Sequence, residues 1–283
     1  MDRQRLWLVG GLTLCVIGLV GCGAGHDYFG YTPTAEFSRE VQLDASLTEG
    51  KSFSATTLNG AIEVTGAEVS TCTLKAAIKV KAGMTDDVAK AVAEQVIVEL
   101  VETADGLVAK IDTPTLKPRE SISINLNVTL PRQTDLDLTT HNGRIMLEGL
   151  KGTIDATTHN GRVMSKDVEG KATLVTHNGR IGCTDFSGDA HLRTHNGAVE
   201  FHCADSAPAG RIDIETYNGR VVFDAPAEYS ATVDLATHNG SIHTNLPILT
   251  VGELSKQRRT GAIGEGEGTL RIVTHNGSIR INK

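Results

Sequence analysis

A four-residue motif that returns every 18 residues constrains the fold of this chain more than any other feature. The motif is Thr-His-Asn-Gly, and its first four copies place their asparagines at residues 142, 160, 178 and 196. Three further copies follow at wider spacings, with asparagines at residues 218, 239 and 276. Self-similarity at a fixed period indicates a repeat architecture, and the wider spacings indicate insertions between copies.

Side chains on both sides of each motif alternate between apolar and polar. The third residue after each Asn is β-branched and apolar: Ile145, Val163, Ile181, Val199, Val221, Ile242 and Ile279. The fourth residue before each Asn is also apolar: Leu138, Ala156, Leu174, Leu192, Ile214, Leu235 and Ile272. A side-chain period of two is typical of β-strands. Each copy is therefore expected to be a strand, a tight turn with left-handed Asn-Gly backbone, and a second strand.

Two all-β architectures fit this pattern. In a parallel β-solenoid each copy is one coil of about 18 residues, and like residues of successive coils stack in ladders. In an antiparallel β-meander each Asn-Gly pair would be a hairpin turn. Thr and Asn stand in all seven copies, although a hairpin turn needs no Thr. Stacked coils would gain Thr-Thr and Asn-Asn hydrogen bonds, so we favour the solenoid and keep the meander as the alternative.

The stretch before the regular repeats is related to them but interrupted. Residues 57–60, Thr-Leu-Asn-Gly, fit the same template. Thr85 suits a helix N-cap, and Asp86 and Asp87 suit the positive end of a helix that continues through Gln95. Strand-like runs follow at Val96–Val101, Leu107–Ile111 and Ile122–Leu130. We predict an N-terminal β-rich cap with one short helix over residues 41–131, and a solenoid over residues 132–283.

The first 21 residues have the layout of a secretory signal. Arg3 and Arg5 precede an apolar run that ends at Val20 and is too short for a comfortable membrane span. The small residue Gly21 then precedes Cys22. This ending resembles a bacterial lipoprotein signal, which predicts cleavage after residue 21, lipidation of Cys22, a tether over residues 22–40 and anchoring to a membrane. Gly23 favours the outer membrane in a cell that has two.

Charge and motifs exclude several classes of function. The net charge of −7 argues against a nucleic-acid binder, which usually has a basic face. No nucleophile elbow, phosphate-cradling loop or HExxH motif is present, so the sequence predicts neither catalysis nor a cofactor. A row of acids at Asp137, Asp155, Asp213 and Asp234 is broken by Thr173 and His191, which is typical of a solvated strand face.

Two outward-facing rows form the candidate site. The residue before each Asn gives His141, His159, His177, His195, Tyr217, His238 and His275, and the residue after each Gly gives Arg144, Arg162, Arg180 and Arg220 together with Ala198, Ser241 and Ser278. A structural interpretation is that the rings stack and the arginines pack over them. A binding interpretation is an edge that takes acidic glycans through bidentate arginine contacts. Paired histidines could also bind zinc, but Tyr217 removes a ligand, and no metal is predicted.

Three cysteines remain after the signal and Cys22 are set aside. Cys183 and Cys203 both point inward by parity and lie on successive coils. They are compatible with a disulfide, which would require a two-residue shift in register, or with two buried thiols. Cys72 has no predicted partner.

The order of lipoprotein signal, helix-interrupted β cap and repeated Thr-x-Asn-Gly-x-Ile units resembles a bacterial family named "putative adhesin domain", whose function is unknown. The resemblance covers roughly residues 40–283 and implies a β-solenoid with a non-enzymatic role at the cell surface or in the periplasm. The His between Thr and Asn in six of seven copies departs from the family pattern, where variety is expected. Two alternatives stay open: a carbohydrate-active β-helix enzyme, and an envelope-stress or sensor component that binds an envelope protein.

Overall fold

The structure is a computed structural model that describes residues 35–205, 207, 210–250 and 255–283. The predicted signal, Cys22 and the predicted tether up to residue 34 lie outside the described residues. Within the described ranges, twenty strands and one helix form a single connected sheet system, so the chain is all-β as predicted. The one helix of this part of the chain is too short and too polar to cross a membrane.

The N-terminal cap contains the strands and the one short helix that the sequence predicts. Its helix begins directly after Thr85, although that side chain makes no capping hydrogen bond. The first strand begins at Glu36, which shortens the predicted tether by five residues. The cap elements are β1 (Glu36–Ser46), β2 (Ser52–Asn59), β3 (Ile62–Ala67), β4 (Thr71–Lys81), α1 (Asp86–Glu94), β5 (Ile97–Glu102), β6 (Gly106–Asp112) and β7 (Ser121–Pro131).

The cap is joined to the solenoid by continuous strand pairing. β1, β4 and β7 are antiparallel, and β7 then runs parallel to β3. Strands β5 and β6 form an antiparallel hairpin, and β6 runs parallel to β2. Strands β2 and β3 flank Asn59 and form the first coil, so the predicted cap covers this end of the stack.

The repeat region is a parallel β-solenoid and not a meander. Strand β10 (Val163–Thr176) pairs in parallel with β9 (Ile145–Thr158) and β11 (Ile181–Asn196), and residue i lies opposite residue i + 18 on the next coil. The remaining strands are β8 (Asp135–Asn142), β9 (Ile145–Thr158), β10 (Val163–Thr176), β11 (Ile181–Asn196), β12 (Val199–Cys203), β13 (Arg211–Asn218), β14 (Val221–Asp224), β15 (Ala231–Asn239), β16 (Ile242–Thr244), β17 (Leu249–Thr250), β18 (Arg258–Ile263), β19 (Gly268–Asn276) and β20 (Ile279–Asn282).

The coils do not stack in chain order. The last coil of the chain, β19–β20, lies between the coil of Asn218 and the coil of Asn239 and pairs in parallel with both. The coil of Asn239 is therefore the outermost one, and β18 covers it by antiparallel pairing with β15. The 37-residue spacing between the last two motifs reflects this path, because the chain forms the outermost coil first and then returns to form the coil next to it.

The interior is built from the residues that the alternation pattern assigns to it. Ile145, Val163 and Ile181 are fully buried, as are Leu138 and their equivalents in the other coils. The coils also enclose large rings: Phe186, Phe201 and Phe223 form a buried series with centroids 5.3 and 5.5 Å apart. Continuous apolar ladders of this kind supply the burial that stabilises a stacked repeat.

The Asn-Gly pair forms a corner between two sheet faces, and its glycine is required for a different reason from the one expected. None of the motif glycines of the solenoid has left-handed φ. Instead, a Cβ on Gly161 would lie 1.8 Å from the carbonyl oxygen of Gly143 on the neighbouring coil, and Gly179 meets Gly161 in the same way. Close stacking of the coils excludes any side chain here. Left-handed backbone occurs at the opposite corner, at Gly149, Asp167 and Asp185.

Two hydrogen-bond ladders run through the Asn-Gly corners. Each asparagine Nδ2 donates to the Oδ1 of the asparagine on the preceding coil, at 2.7–2.9 Å, from Asn59 to Asn239. The expected Thr-Thr ladder is replaced by a Thr-Gly ladder, apart from a contact between Thr57 and Thr140. Each threonine hydroxyl donates to the glycine carbonyl of the preceding coil, as Thr158 does to Gly143 at 2.8 Å.

Candidate binding groove

Seven planar side chains stack in an unbroken line along the solenoid. Neighbouring ring centroids are 4.6–5.0 Å apart, and the interplanar angles run from 4° to 30°. We call this line the ring ladder; in spatial order it consists of His141, His159, His177, His195, Tyr217, His275 and His238. The stacking of the rings therefore agrees with the structural interpretation of the sequence.

The ring ladder presents the edges of its rings to the groove. Each internal ring is covered on both faces by its neighbours, so sugars cannot stack on those faces as they do on isolated aromatic side chains. The edges carry imidazole nitrogens, which donate or accept hydrogen bonds depending on their protonation. Among the described residues, Nδ1 of His275 is buried and has no hydrogen-bond partner. The ladder is thus a row of hydrogen-bonding groups with one ring per coil.

The ring ladder lines a long recess of the solenoid. This groove has a volume of about 1370 Å³ and runs along the whole stack, from the coil of Asn59 to the coil of Asn239. Beside the ladder, its floor is formed by the residues three places before each Asn. At the cap end the lining becomes apolar, with Leu58, Ile111, Leu116, Ile122 and Ile124. Leu58 stands at the ladder position of the first coil and is 68% exposed.

Apart from the histidines, two residues with charged side chains line the groove. Arg193 is exposed beside the ladder, and within the described ranges its guanidinium has no ion-pair or hydrogen-bond partner. Glu215 lies on the neighbouring coil and is paired with Arg271 at 2.5 Å. Arg271 also pairs with Asp213 at 2.7 Å, and these two hydrogen bonds raise the pKa of the Arg271 guanidinium. The Glu215 carboxylate is therefore neutralised by an ion pair, whereas the Arg193 guanidinium is available to bind an anion.

The structure separates the predicted arginine row from the ring ladder. Arg144, Arg162, Arg180 and Arg220 are exposed, as expected, but none of them lines the groove. Arg144 and Arg162 line a smaller recess of about 360 Å³, which shares no residue with the groove. The chain turns at the Asn-Gly corner between the two rows. The rings and the guanidinium groups therefore lie on two separate surfaces and not on the single edge that was expected.

Most of the arginines in this row already have acidic partners. Arg144 pairs with Glu63 at 2.6 Å. Arg180 pairs closely with Glu200, which lies 3.5 Å from Arg220 as well. Arg162 has no such partner in the part of the chain that the structure describes. Bidentate recognition of a ligand along this row would require these ion pairs to break.

The acidic row does not form a catalytic pair in the groove. Asp137 and Asp155 are neighbours across β8 and β9, but neither lines the groove. Asp213 is held by Arg271, and Asp234 lies 3.3 Å from Arg258. Glycosidases generally place two carboxyl groups on either side of the scissile bond, whereas the groove lining described contains one.

No group of three or more potential metal ligands converges within the described residues. In the ring ladder the rings are parallel and nearly 5 Å apart. Two imidazoles that bind one zinc ion must bring their nitrogens within about 2.1 Å of it. Parallel stacked rings direct their nitrogens side by side and away from a common point.

The cysteines are free thiols, and the register explains why. Cys183 lies opposite Phe201, while Cys203 pairs with Phe186 beyond a bulge. The two-residue shift in register that would place Cys203 opposite Cys183 does not occur. The two cysteines therefore do not form a disulfide in this structure. Burial raises the pKa of the Cys183 and Cys203 thiols to about 12, and that of Cys72 likewise.

Sequence reasoning located the ladder but missed the rest of the groove. Arg193 and Glu215 occupy the position three places before Asn, where Thr, Val and Ala stand in other coils. That position lies two residues before the ladder position, so its side chain points to the same side of the strand. This alternation is the signal that could have identified it. The position of Arg271 beside Asp213 depends on the coil order, for which the sequence carries no such signal.

Comparisons with known proteins found a family model and several solved structures that are similar to this chain. The family model described as Toastrack DUF4097 matches residues 34–282. No curated protein matches the chain. Among solved structures, a "putative cell adhesion protein" from Clostridium sporogenes is 10% identical with a TM-score of 0.38, covering 85% of this chain and 98% of its own. A "putative adhesin" from Bacteroides fragilis is 11% identical with a TM-score of 0.30, covering 86% and 96%.

Proposed function

Because the chain belongs to the Toastrack DUF4097 family over nearly its whole length, we propose that it is a non-enzymatic, adhesin-like binding protein of the cell envelope. The observation that carries this proposal is the groove, whose lining in the described residues combines an unbroken ladder of ring edges with one compensated carboxylate. Such a surface offers hydrogen bonds to an extended ligand and lacks the paired acids of a carbohydrate-active enzyme.

The proposed ligand is an acidic glycan that lies along the groove. A glycan chain repeats its polar groups, and the ladder repeats a ring at each coil, so several weak contacts can add along one ligand. The free guanidinium of Arg193 provides a site for a carboxylate or sulfate group. The arginine row outside the groove is less suited, because its members pair with Glu63 and Glu200.

Glycan-array binding of the full chain in detergent tests this proposal. We expect acidic glycans to bind wild type, and a variant with His159 and His177 changed to Ala and Arg193 to Gln to lose that binding. A variant with Arg144, Arg162 and Arg180 changed to Ala should keep it. Equal binding by wild type and the groove variant would refute the assignment of the groove.

We further propose that Cys22 carries a lipid that anchors the protein on the extracytoplasmic side of a membrane, the outer one in a cell with two. The sequence around Cys22 supports this. Since the chain is acidic overall, attraction to anionic lipids would not hold it there. Metabolic labelling with a fatty acid should mark wild type but not Cys22→Ser, which should leave the membrane fraction. Labelling that persists in the variant would exclude this anchor.

The apolar end of the groove favours an envelope protein as a second candidate ligand. Leu58 is 68% exposed and Leu116 is 37% exposed, and both line the same end of the groove, where exposed apolar surface offers a contact for another protein. Co-purification of one defined envelope protein, lost in Leu58→Asp with Leu116→Asp, would support this candidate over a glycan.

A further inference from the structure

We propose that the groove captures polyanionic glycans in a proton-coupled manner, with Arg193 as the fixed cationic contact and the ladder imidazoles as contacts whose charge depends on pH. This inference rests on the proposed glycan-binding function and specifies both the ligand charge and its regulation. The predicted consequence is capture in acidic surroundings and release in neutral ones.

The charges that face the ring ladder favour this behaviour. In the described residues the titratable groove side chains are the ladder itself, Arg193 and Glu215. The cap elements contribute uncharged residues to the lining, and Glu215 is held by Arg271. At the far end, β18 places Arg258 against Asp234, and Arg259 follows it on the same strand. The groove thus has no uncompensated acid, although the whole chain carries a net charge of −7.

Protonation changes what a ring edge can offer. A neutral imidazole has one donor and one acceptor, whereas the protonated form has two donors and a positive charge. Imidazole groups in general change charge near pH ~6.5. Six of the seven ladder rings are imidazoles, so their protonation would add positive charge beside Arg193 along most of the groove.

Stacking couples this change to the ligand. Neighbouring rings are 4.6–5.0 Å apart, so positive charges on neighbouring rings would repel one another. A bound polyanion offsets that repulsion because it places negative charge along the same line. By thermodynamic reciprocity, protons must strengthen polyanion binding, and binding must take up protons.

The test uses sulfated dextran, whose charge does not change in this pH range, and uncharged dextran as the matched probe. Affinities for the full chain in detergent are measured by calorimetry at pH 5.5 and pH 7.5, in two buffers of different ionisation enthalpy. We expect sulfated dextran to bind at least tenfold more tightly at pH 5.5, with net proton uptake. Arg193→Gln should weaken binding at both pH values.

The ladder itself supplies conservative variants. Tyr217 shows that a tyrosine ring fits the stack, so His159→Tyr with His177→Tyr should keep the fold and bring the pH 5.5 to pH 7.5 affinity ratio down several-fold. Tyr217→His adds a titratable ring and should raise the ratio. Arg162→Gln and His243→Tyr lie outside the groove and should leave it unchanged.

The outcomes separate this inference from the function on which it rests. Binding of sulfated dextran that is independent of pH, or that occurs without proton uptake, would overturn the inference and leave glycan binding intact. Equal binding of charged and uncharged dextran would overturn the inference and the acidic character of the proposed ligand, and would leave only glycan binding in general. Failure of both dextrans to bind at either pH would overturn the inference together with the proposed glycan-binding function.

Discussion

His275 stacks on Tyr217 with ring centroids 4.6 Å apart, although the two residues are separated by 58 positions in the chain. The contact exists because the last coil of the chain is inserted between two earlier coils. Without this insertion the ring ladder would join Tyr217 to His238 directly. The order of the coils therefore determines the composition of the groove.

Removal of residues 268–283 should destabilise the protein far more than removal of an end coil would. The deleted coil pairs with β13 and β14 on one side and with β15 and β16 on the other. Since stability in a stacked repeat sums over coil interfaces, two interfaces are lost. We expect a melting temperature lowered by more than 10 °C and proteolysis within residues 231–263. A melting temperature within a few degrees of wild type would contradict the inserted position.

Gly161→Ala should be strongly destabilising. Its new Cβ would lie 1.8 Å from the backbone carbonyl oxygen of Gly143, so the two coils must separate. We expect a loss of about 3 kcal/mol or more in the free energy of unfolding, measured by denaturant titration. Gly182→Ala is the matched control, because its Cβ meets the flexible end of Met164 and should cost about 1 kcal/mol or less. Similar losses in both variants would refute the stacking argument.

The Asn ladder predicts that an internal position costs more than a terminal one. Asn178 donates to Asn160 and accepts from Asn196, whereas Asn239 makes one such bond, to Asn276. With about 0.5–1.5 kcal/mol for each hydrogen bond, Asn178→Ala should lose roughly twice as much unfolding free energy as Asn239→Ala. Chemical denaturation of both variants measures this, and a larger loss at Asn239 would argue against the ladder as a stabilising feature.

The buried thiols predict a loss of stability in alkali. Burial raises the pKa of Cys183 from its ordinary value of 9 to about 12. The thiol therefore stabilises the fold fully below pH 9, and this contribution is lost as pH rises from 9 towards 12, because only the unfolded chain ionises there. Urea unfolding at pH 8, 9.5 and 10.5 should show this decline, and a smaller one for Cys183→Val. An identical decline in both proteins would assign it to other groups.

Thiol reactivity gives an independent check on the cysteines. Cys72 and Cys183 are buried and Cys203 is partly buried. A thiol-specific reagent at pH 8 should leave Cys72 and Cys183 unmodified in the folded protein and label all three after unfolding, without reductant. A mass that shows Cys183 joined to Cys203 before reduction would contradict the free thiols of the structure.

The regular part of the fold could be predicted because each coil repeats one local rule. The alternation around Asn160 and Asn178 sets which side chains are buried, and the 18-residue period sets the register. The ring ladder follows from these two facts alone. The helix after Thr85 was recognisable because an N-cap residue and an acidic first turn are local signals.

The rest could not be predicted because it depends on contacts between coils that are distant in sequence. Nothing in the spacing of Asn239 and Asn276 tells which of them lies beside Asn218. The charge of the groove depends on this choice, because Arg271 compensates Glu215 only in the observed order. The role of Gly161 also depends on the neighbouring backbone and not on its own dihedral angles.

Histidine footprinting with diethyl pyrocarbonate tests the central claim, that the groove is the binding surface, most directly. The chain contains its own controls, because His191, His202 and His243 lie outside the groove. With a sulfated glycan bound at pH 6, mass spectrometry should show protection of the six ladder histidines and unchanged modification of these three. Unchanged modification of the ladder in the presence of bound glycan, or equal protection of the six ladder histidines and the three controls, would contradict the assignment of the groove.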